Sequence, residues 1–312
     1  MKAGIIGFGS IGQRHYTNLQ NYTKDVIVLT RRKDLNVRQT VNNWADFKKQ
    51  GPFDVIFITN ETYKHLATAV QCVGLRPKAI FMEKPLSHTS AGLIGLANVI
   101  KKEKISFFVG YNFQFYKPLL EVRKIIKNGQ LGDIYFMRVS AGSDVKNWRK
   151  RDYRQIYSAD KRKGGGVMLD FVHDINYPAW LLGQELIPQT AVIKKVSRLQ
   201  INSEDVAESI FTTKNNTIVS VHQDYLRTSG ERSLEIIGAK GTLAWSYSGG
   251  AVTVYAKTRK LTKKVDCDYN KMYVAELRYF FKQVKKGTLF TNVDEATRDV
   301  RHIEYLKKCA KK

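Results

Sequence analysis

Residues 2–20 of the chain read KAGIIGFGSIGQRHYTNLQ. The opening apolar run is short and ends at Gly7; Gly9 and Gly12 then complete the spacing G-x-G-x-x-G, and an amphipathic run begins. The order is buried strand, tight turn, helix. The first glycine permits the turn, the second lets a phosphate group approach the backbone, and the third lets helix and strand pack closely. Free N–H groups at the helix start favour negative charge beside them. A lone glycine triplet is a weak sign that also marks ordinary turns. Here the flanking strand and helix supply the context of a dinucleotide motif.

Working outward, strand-like runs at 25–30, 53–60, 78–86 and 105–113 alternate with helix-like runs at 63–73 and 90–104. That pitch predicts an α/β fold whose first domain, residues 1–120, is a Rossmann-type doubly wound parallel sheet. Ligands on such sheets lie beyond the carboxyl ends of the strands. The expected cofactor contacts are therefore Gly7, Phe8, Gly9, Ser10, Ile11 and Gly12 at the phosphates. Thr59, Asn60, Glu61, His65, Glu83, Lys84 and Asn112 are expected along the rim. The end of the second strand selects the cofactor. An acid there would hold the ribose hydroxyl of NAD(H), but the chain has Thr30, Arg31 and Arg32, with Asp34 beyond them. Guanidinium groups suit a 2′-phosphate, so NADP(H) is expected over NAD(H). The plainer alternative is a pair of solvated arginines.

Three further pieces follow in order: EKPL at 83–86, GYNFQFY at 110–116 and GGGVMLDFVHDINY at 164–177, with ERSLEIIGAKGTLAWSY at 231–247 beyond them. With the glycine turn, this ordered set resembles the glucose–fructose oxidoreductase/inositol dehydrogenase (Gfo/Idh/MocA) family over nearly the whole chain. The resemblance implies a second α/β domain, residues 121–312, with a large open, mainly antiparallel sheet. Seven alternating runs between residues 133 and 257 agree independently. One face of so large a sheet needs a cover, and in the family another subunit supplies it, so a dimer or tetramer is implied. The implied chemistry is hydride transfer between a sugar-like carbinol carbon and nicotinamide. Lys84 is implied to bind and polarise the reacting hydroxyl, His173 to act as general acid/base, and Asp170 to position it.

The residues around position 170 have alternatives. Read as one helix, Asp170 and His173 lie three apart on one face, which suits a carboxylate orienting an imidazole. Asp170, His173 and Asp174 could also be read as metal ligands, but no further His/Cys set accompanies them and no metal is expected. A helix cap is the bland reading. The spacing is one shorter than the commonest family pattern and resembles a subset of it, whose following aspartate is Asn176 in this chain. Whether His173 or Asp174 fills the catalytic slot stays open at this point. The preceding loop, NWRKRDYRQIYSADKRKGGG at 147–166, is rich in arginine and aromatics. Its Trp148, Arg149, Tyr153 and Arg154 join Lys84, Asn112, Asp170, His173, Asp174 and Asn176 as expected substrate contacts, unless the loop is merely solvated. Arginine suits an anionic or nucleotide-linked sugar.

The net charge of +24 arises from 52 Lys/Arg against 28 Asp/Glu, in excess in both halves of the chain. Such a field recruits anions, yet no nucleic-acid module is recognisable and no specific nucleic-acid partner is expected. No apolar run approaches a membrane span, and the start lacks a secretory pattern. Cys72, Cys267 and Cys309 are few and widely spaced, which suits a reducing compartment and makes cytoplasm the expectation. The expected function is an NADP(H)-dependent oxidoreductase on a sugar or sugar derivative in saccharide biosynthesis. A redox-neutral epimerase with tightly bound cofactor and a non-catalytic cofactor sensor are the alternatives.

Overall fold

β1 (Ala3–Ile6) leads through the glycine turn into α1 (Ser10–Leu19). There follow β2 (Val26–Leu29), β3 (Thr40–Val41), α2 (Trp44–Lys49), β4 (Val55–Ile58), α3 (His65–Val73), β5 (Ala79–Glu83), α4 (Leu93–Lys102) and β6 (Ser106–Gly110). The computed structural model describes residues 1–33, 35–149 and 151–311. Among them these strands form one parallel sheet in the order β3-β2-β1-β4-β5-β6. Strands β1, β4, β5 and β6 are buried along their whole length, as continuous apolar runs covered on both faces should be. The order reverses at β1, so the carboxyl ends of β1 and β4 flank the topological switch point.

After α5 (Lys117–Lys127) the second sheet is built from β7 (Ile134–Gly142), then, after α6 (Val167–Asp170) and α7 (His173–Leu182), from β8 (Ile187–Lys194), β9 (Val206–Thr212), β10 (Ile218–Asp224), β11 (Glu231–Gly238), β12 (Gly241–Ser246), β13 (Ala251–Ala256) and β14 (Arg259–Lys264). Its order is β14-β13-β12-β11-β7-β10-β9-β8, antiparallel except for the central β7/β10 pair. The seven expected runs are all strands. The eighth, β14, was not foreseen because RKLTKK has no apolar alternation. It is an exposed edge strand, and its lysines discourage further pairing. Alternation puts Met137, Val139, Leu234, Ile236, Leu243 and Val252 in the core. On the opposite face one cross-strand row carries Ile218, Phe136, Ile237, Thr242 and Tyr255. Of these, Ile218, Ile237 and Tyr255 are at least 40% exposed.

α8 (Tyr269–Lys286) and α9 (Val293–Cys309) end the chain. Packing divides the protein into Met1–Tyr111 with Tyr273–Val300, and Asn112–Met272 with the stretch from Arg301. The break expected after residue 120 comes earlier because Phe113 and Tyr116 pack with Tyr269. The return of 273–300 was not expected either. Its cause is aromatic: Phe280 meets Phe57 and Phe81 edge-on, with ring centres 5.7 and 5.5 Å apart. No described helix is long and apolar enough to cross a membrane.

Candidate active site

The glycine turn of the first unit is held from several sides. Gly7 has φ +91°, and a Cβ there would lie 2.6 Å from the Asn60 backbone. At Gly12 a Cβ would lie 2.5 Å from the Gly7 carbonyl. Both positions therefore require glycine. Gly9 differs: a Cβ built on it meets nothing within 4 Å. Gly9 is also the N-cap of α1, with no side-chain cap bond and no acidic residue in the first turn. Ser10 and Ile11 open that turn, where backbone N–H groups are oriented for an anion. A pyrophosphate needs this open approach, so these residues fit a dinucleotide.

Several residues expected to touch the cofactor also brace this turn. The Thr59 hydroxyl donates to the Gly7 and Ile6 carbonyls at 2.8 and 3.2 Å. The Arg32 guanidinium donates to the Phe8 carbonyl at 2.8 Å. Thr30, Arg31, Arg32 and Lys33 line an open pocket of about 820 Å³ at the end of β2. Asp34 lies outside the described residues. His65 is buried, with Nδ1 2.7 Å from the Pro85 carbonyl and Nε2 3.0 Å from the Asn60 carbonyl. It ties the exit of β4 to the segment after Lys84. Burial pulls its pKa down, against the two carbonyls and Glu83. Glu61 pairs with Lys64 at 3.0 Å, and Glu83 is bonded to His15 at 2.7 Å beneath the sheet rim. Lys84 is half-buried, directly past the end of β5.

Asp170 and His173, in the second unit, are not on one continuous helix as expected. α6 ends at Asp170, Phe171 leaves helical geometry, and α7 starts at His173. The shared-face argument therefore does not apply; the fold holds each group separately. Asp170 Oδ2 accepts the Tyr225 hydroxyl, and the His173 ring packs 5.0 Å from Phe113. Both residues are at most 7% exposed.

Asp174 has a different task. Its carboxylate has no exposure and receives Arg232 Nε at 3.0 Å and Nη2 at 3.2 Å. Arg232 also stacks on Phe113 at 4.5 Å and donates to the Tyr269 hydroxyl. Burial opposes the guanidinium's charge, but the Asp174 carboxylate outweighs it and holds its pKa above the ordinary value. The expected substrate contact at Asp174 is thus taken up by an internal ion pair. Asn176, also buried, accepts from Gln114 at 3.0 Å. The Asn112 Oδ1 is buried with no hydrogen-bond partner among the described residues.

In the loop before α6, Asp144, Asp152 and Asp160 each cap a single helical turn. Asp152 also binds Arg154 in a bidentate pair, and Asp160 pairs with Arg162. Trp148 donates its indole N–H to Ser143, Arg149 lies 5.9 Å over Tyr157, and the Tyr153 hydroxyl accepts from the Gln200 backbone. Two of the loop's four arginines, Arg154 and Arg162, are therefore paired with aspartates of the same loop. Among the described residues no group of three or more His, Cys, Asp or Glu could hold a metal ion.

Sequence reading missed Tyr225, Arg232 and Glu276. Arg232 had a signal: it shares strand parity with the buried Leu234 and Ile236, so a charge there had to find a buried partner. Glu276 lies one turn from Met272 and Phe280 on the buried stripe of α8. Tyr225 had none; its role depends on which strand reaches α6.

A doubly wound parallel sheet with an open glycine turn at its switch point is the arrangement of a dinucleotide-binding protein. Comparisons agree. Residues 1–111 match the oxidoreductase family with an NAD-binding Rossmann fold, and residues 119–244 match the GFO/IDH/MocA C-terminal domain. The chain belongs to the Gfo/Idh/MocA family. It is 21% identical to myo-inositol 2-dehydrogenase of Thermotoga maritima, over 92% of this chain and 89% of that one. Its fold is similar to that of myo-inositol 2-dehydrogenase from Lactobacillus plantarum, with TM-score 0.83 and 20% identity, covering 100% of this chain and 97% of that one. A levoglucosan dehydrogenase in complex with NADH gives TM-score 0.86 at 18% identity, over 100% and 97% of the two chains.

Proposed function

We propose that the protein is an NADP(H)-dependent oxidoreductase that moves a hydride to or from a carbinol carbon of a sugar or polyol. The observation that carries this reading is the uncapped start of α1 behind Gly9, open where a pyrophosphate would come in. The cofactor supplies or accepts the hydride; the protein binds, orients and handles the proton. Lys84 anchors the reacting oxygen, His173 exchanges its proton, and Asp170 holds the imidazole. Relatives named for inositol and levoglucosan support a neutral polyol substrate. The Asp152–Arg154 and Asp160–Arg162 pairs favour it over the anionic or nucleotide-linked sugar that the loop's arginines suggest. The NADP(H) reading supports a place in saccharide biosynthesis, and the cysteine usage supports a cytoplasmic enzyme. A panel of myo-inositol, levoglucosan, free sugars and sugar nucleotides, offered with NADP+ or NADPH and followed by nicotinamide absorbance, tests the activity. No turnover on any of them would sink it.

Cofactor choice rests on the cationic pocket after β2. Arg32 already gives one donor to the Phe8 carbonyl, so Arg31 is taken as the main partner of a 2′-phosphate, with Arg32 and Lys33 beside it. Arg31→Ala is expected to weaken NADP+ binding at least about tenfold and leave NAD+ within about twofold. Equal losses for the two cofactors in a fluorescence titration would refute the preference. We also infer that the outer face of the eight-stranded sheet pairs with a second copy, since its row of Ile218, Ile237 and Tyr255 is exposed. Ile237→Glu should then yield a monomer in analytical ultracentrifugation; an unchanged sedimentation coefficient would exclude this face.

A further inference from the structure

We propose that Tyr225 is a positioning residue for proton transfer: its phenol holds one oxygen of the Asp170 carboxylate and so sets the charge and direction that Asp170 offers to His173. The inference rests on the reading of Asp170 and His173 given above. Tyr225 follows β10, has no exposure, and donates to Asp170 Oδ2 at 2.5 Å. An ionised carboxylate only accepts, so the proton lies on the phenol. Burial, and after it the charge of Asp170, hold the phenol's pKa well above its ordinary value, which keeps that proton in place. The titratable neighbours acting on the phenol are Asp170 on α6 and Glu204 and Tyr157 from the adjoining loops.

The ring is fixed independently of this bond. Trp148 stands edge-on to it with ring centres 5.1 Å apart, Phe171 packs at 6.1 Å, and the Tyr225 backbone N–H donates to the Asp205 carbonyl at 2.9 Å. A donor anchored on three sides gives a charge-assisted bond of fixed direction, and that bond fixes the carboxylate's plane. The need for such a clamp comes from the backbone. Because α6 stops at Asp170 and α7 begins at His173, helix geometry does not set their relation. β10 and the residue after it hold this break at two points. Gln223 donates its amide to the Phe171 carbonyl at 2.7 Å, and Tyr225 holds the carboxylate.

The test is a pH titration of the full-length protein by NMR with isotope-labelled histidine, His173 being assigned through His173→Gln. Tyr225→Phe keeps the ring and removes one oxygen. A carboxylate deprived of a donor attracts the imidazole's proton more strongly, so the His173 midpoint is expected to rise by about one pH unit. Asp170→Asn is expected to lower it. If Asp170→Asn moves the midpoint and Tyr225→Phe does not, the inference is overturned and the Asp170–His173 reading stands. If Asp170→Asn leaves it unmoved, that reading fails as well. Trp148→Phe disturbs the packing and keeps the phenol; an equal rise there would trace the effect to packing and also overturn the proposal.

Discussion

His173→Ala is expected to lower turnover by about 10²- to 10⁴-fold while leaving cofactor affinity unchanged, because in the proposed reaction the imidazole exchanges a proton only with the reacting hydroxyl. Asp174→Ala should behave in the opposite way. Its carboxylate has no exposure and neutralises the largely buried Arg232, so truncation leaves a guanidinium without its counter-charge. Breaking such a pair from one side costs about 3–5 kcal/mol of stability. Chemical denaturation reads the second effect, and steady-state kinetics on the active compound from the substrate panel reads the first. The two neighbours are thereby separated. A stable but inactive Asp174→Ala enzyme, or an active His173→Ala enzyme, would reverse the assignment.

Glu276→Gln is expected to stabilise the protein at neutral and alkaline pH and to have little effect near pH 4. Glu276 has no exposure, and neither of its carboxyl oxygens has a hydrogen-bond partner among the described residues. Burial, and then the nearby Glu83 carboxylate, push its pKa well above the ordinary 4.5. The folded state therefore keeps a proton that the unfolded chain gives up. Stability is lost as pH rises from the unfolded value towards the folded one, by about 1.4 kcal/mol for each unit in that window. Glutamine mimics the protonated acid and carries no such penalty. Denaturation midpoints of the two proteins should coincide near pH 4 and separate as pH rises. A gap that is constant across pH would mean that Glu276 is ionised in the fold.

Much of the first unit was legible along the chain. The glycine spacing, the apolar runs of β1, β4, β5 and β6 and the helices between them are local patterns, and each reports which face is buried. The same holds for the seven alternating strands of the second sheet. β14 escaped because an edge strand of lysines carries no apolar period. The site was legible in its residue types but less so in their tasks. Thr59, His65 and Glu83 stand near the expected rim, yet their polar atoms meet the Gly7, Pro85 and Asn60 carbonyls and His15.

From its amino acids alone this chain determines a dinucleotide turn, an alternating α/β order and a carboxylate and imidazole three positions apart, since all of these are written in neighbouring residues. Only the tertiary structure decided that Asp174 belongs to Arg232, 58 positions away, and Asp170 to Tyr225, 55 positions away. The physical reason is that a buried charge takes whichever partner the packing brings within hydrogen-bond reach. Periodicity along the chain records burial, but it does not record that choice.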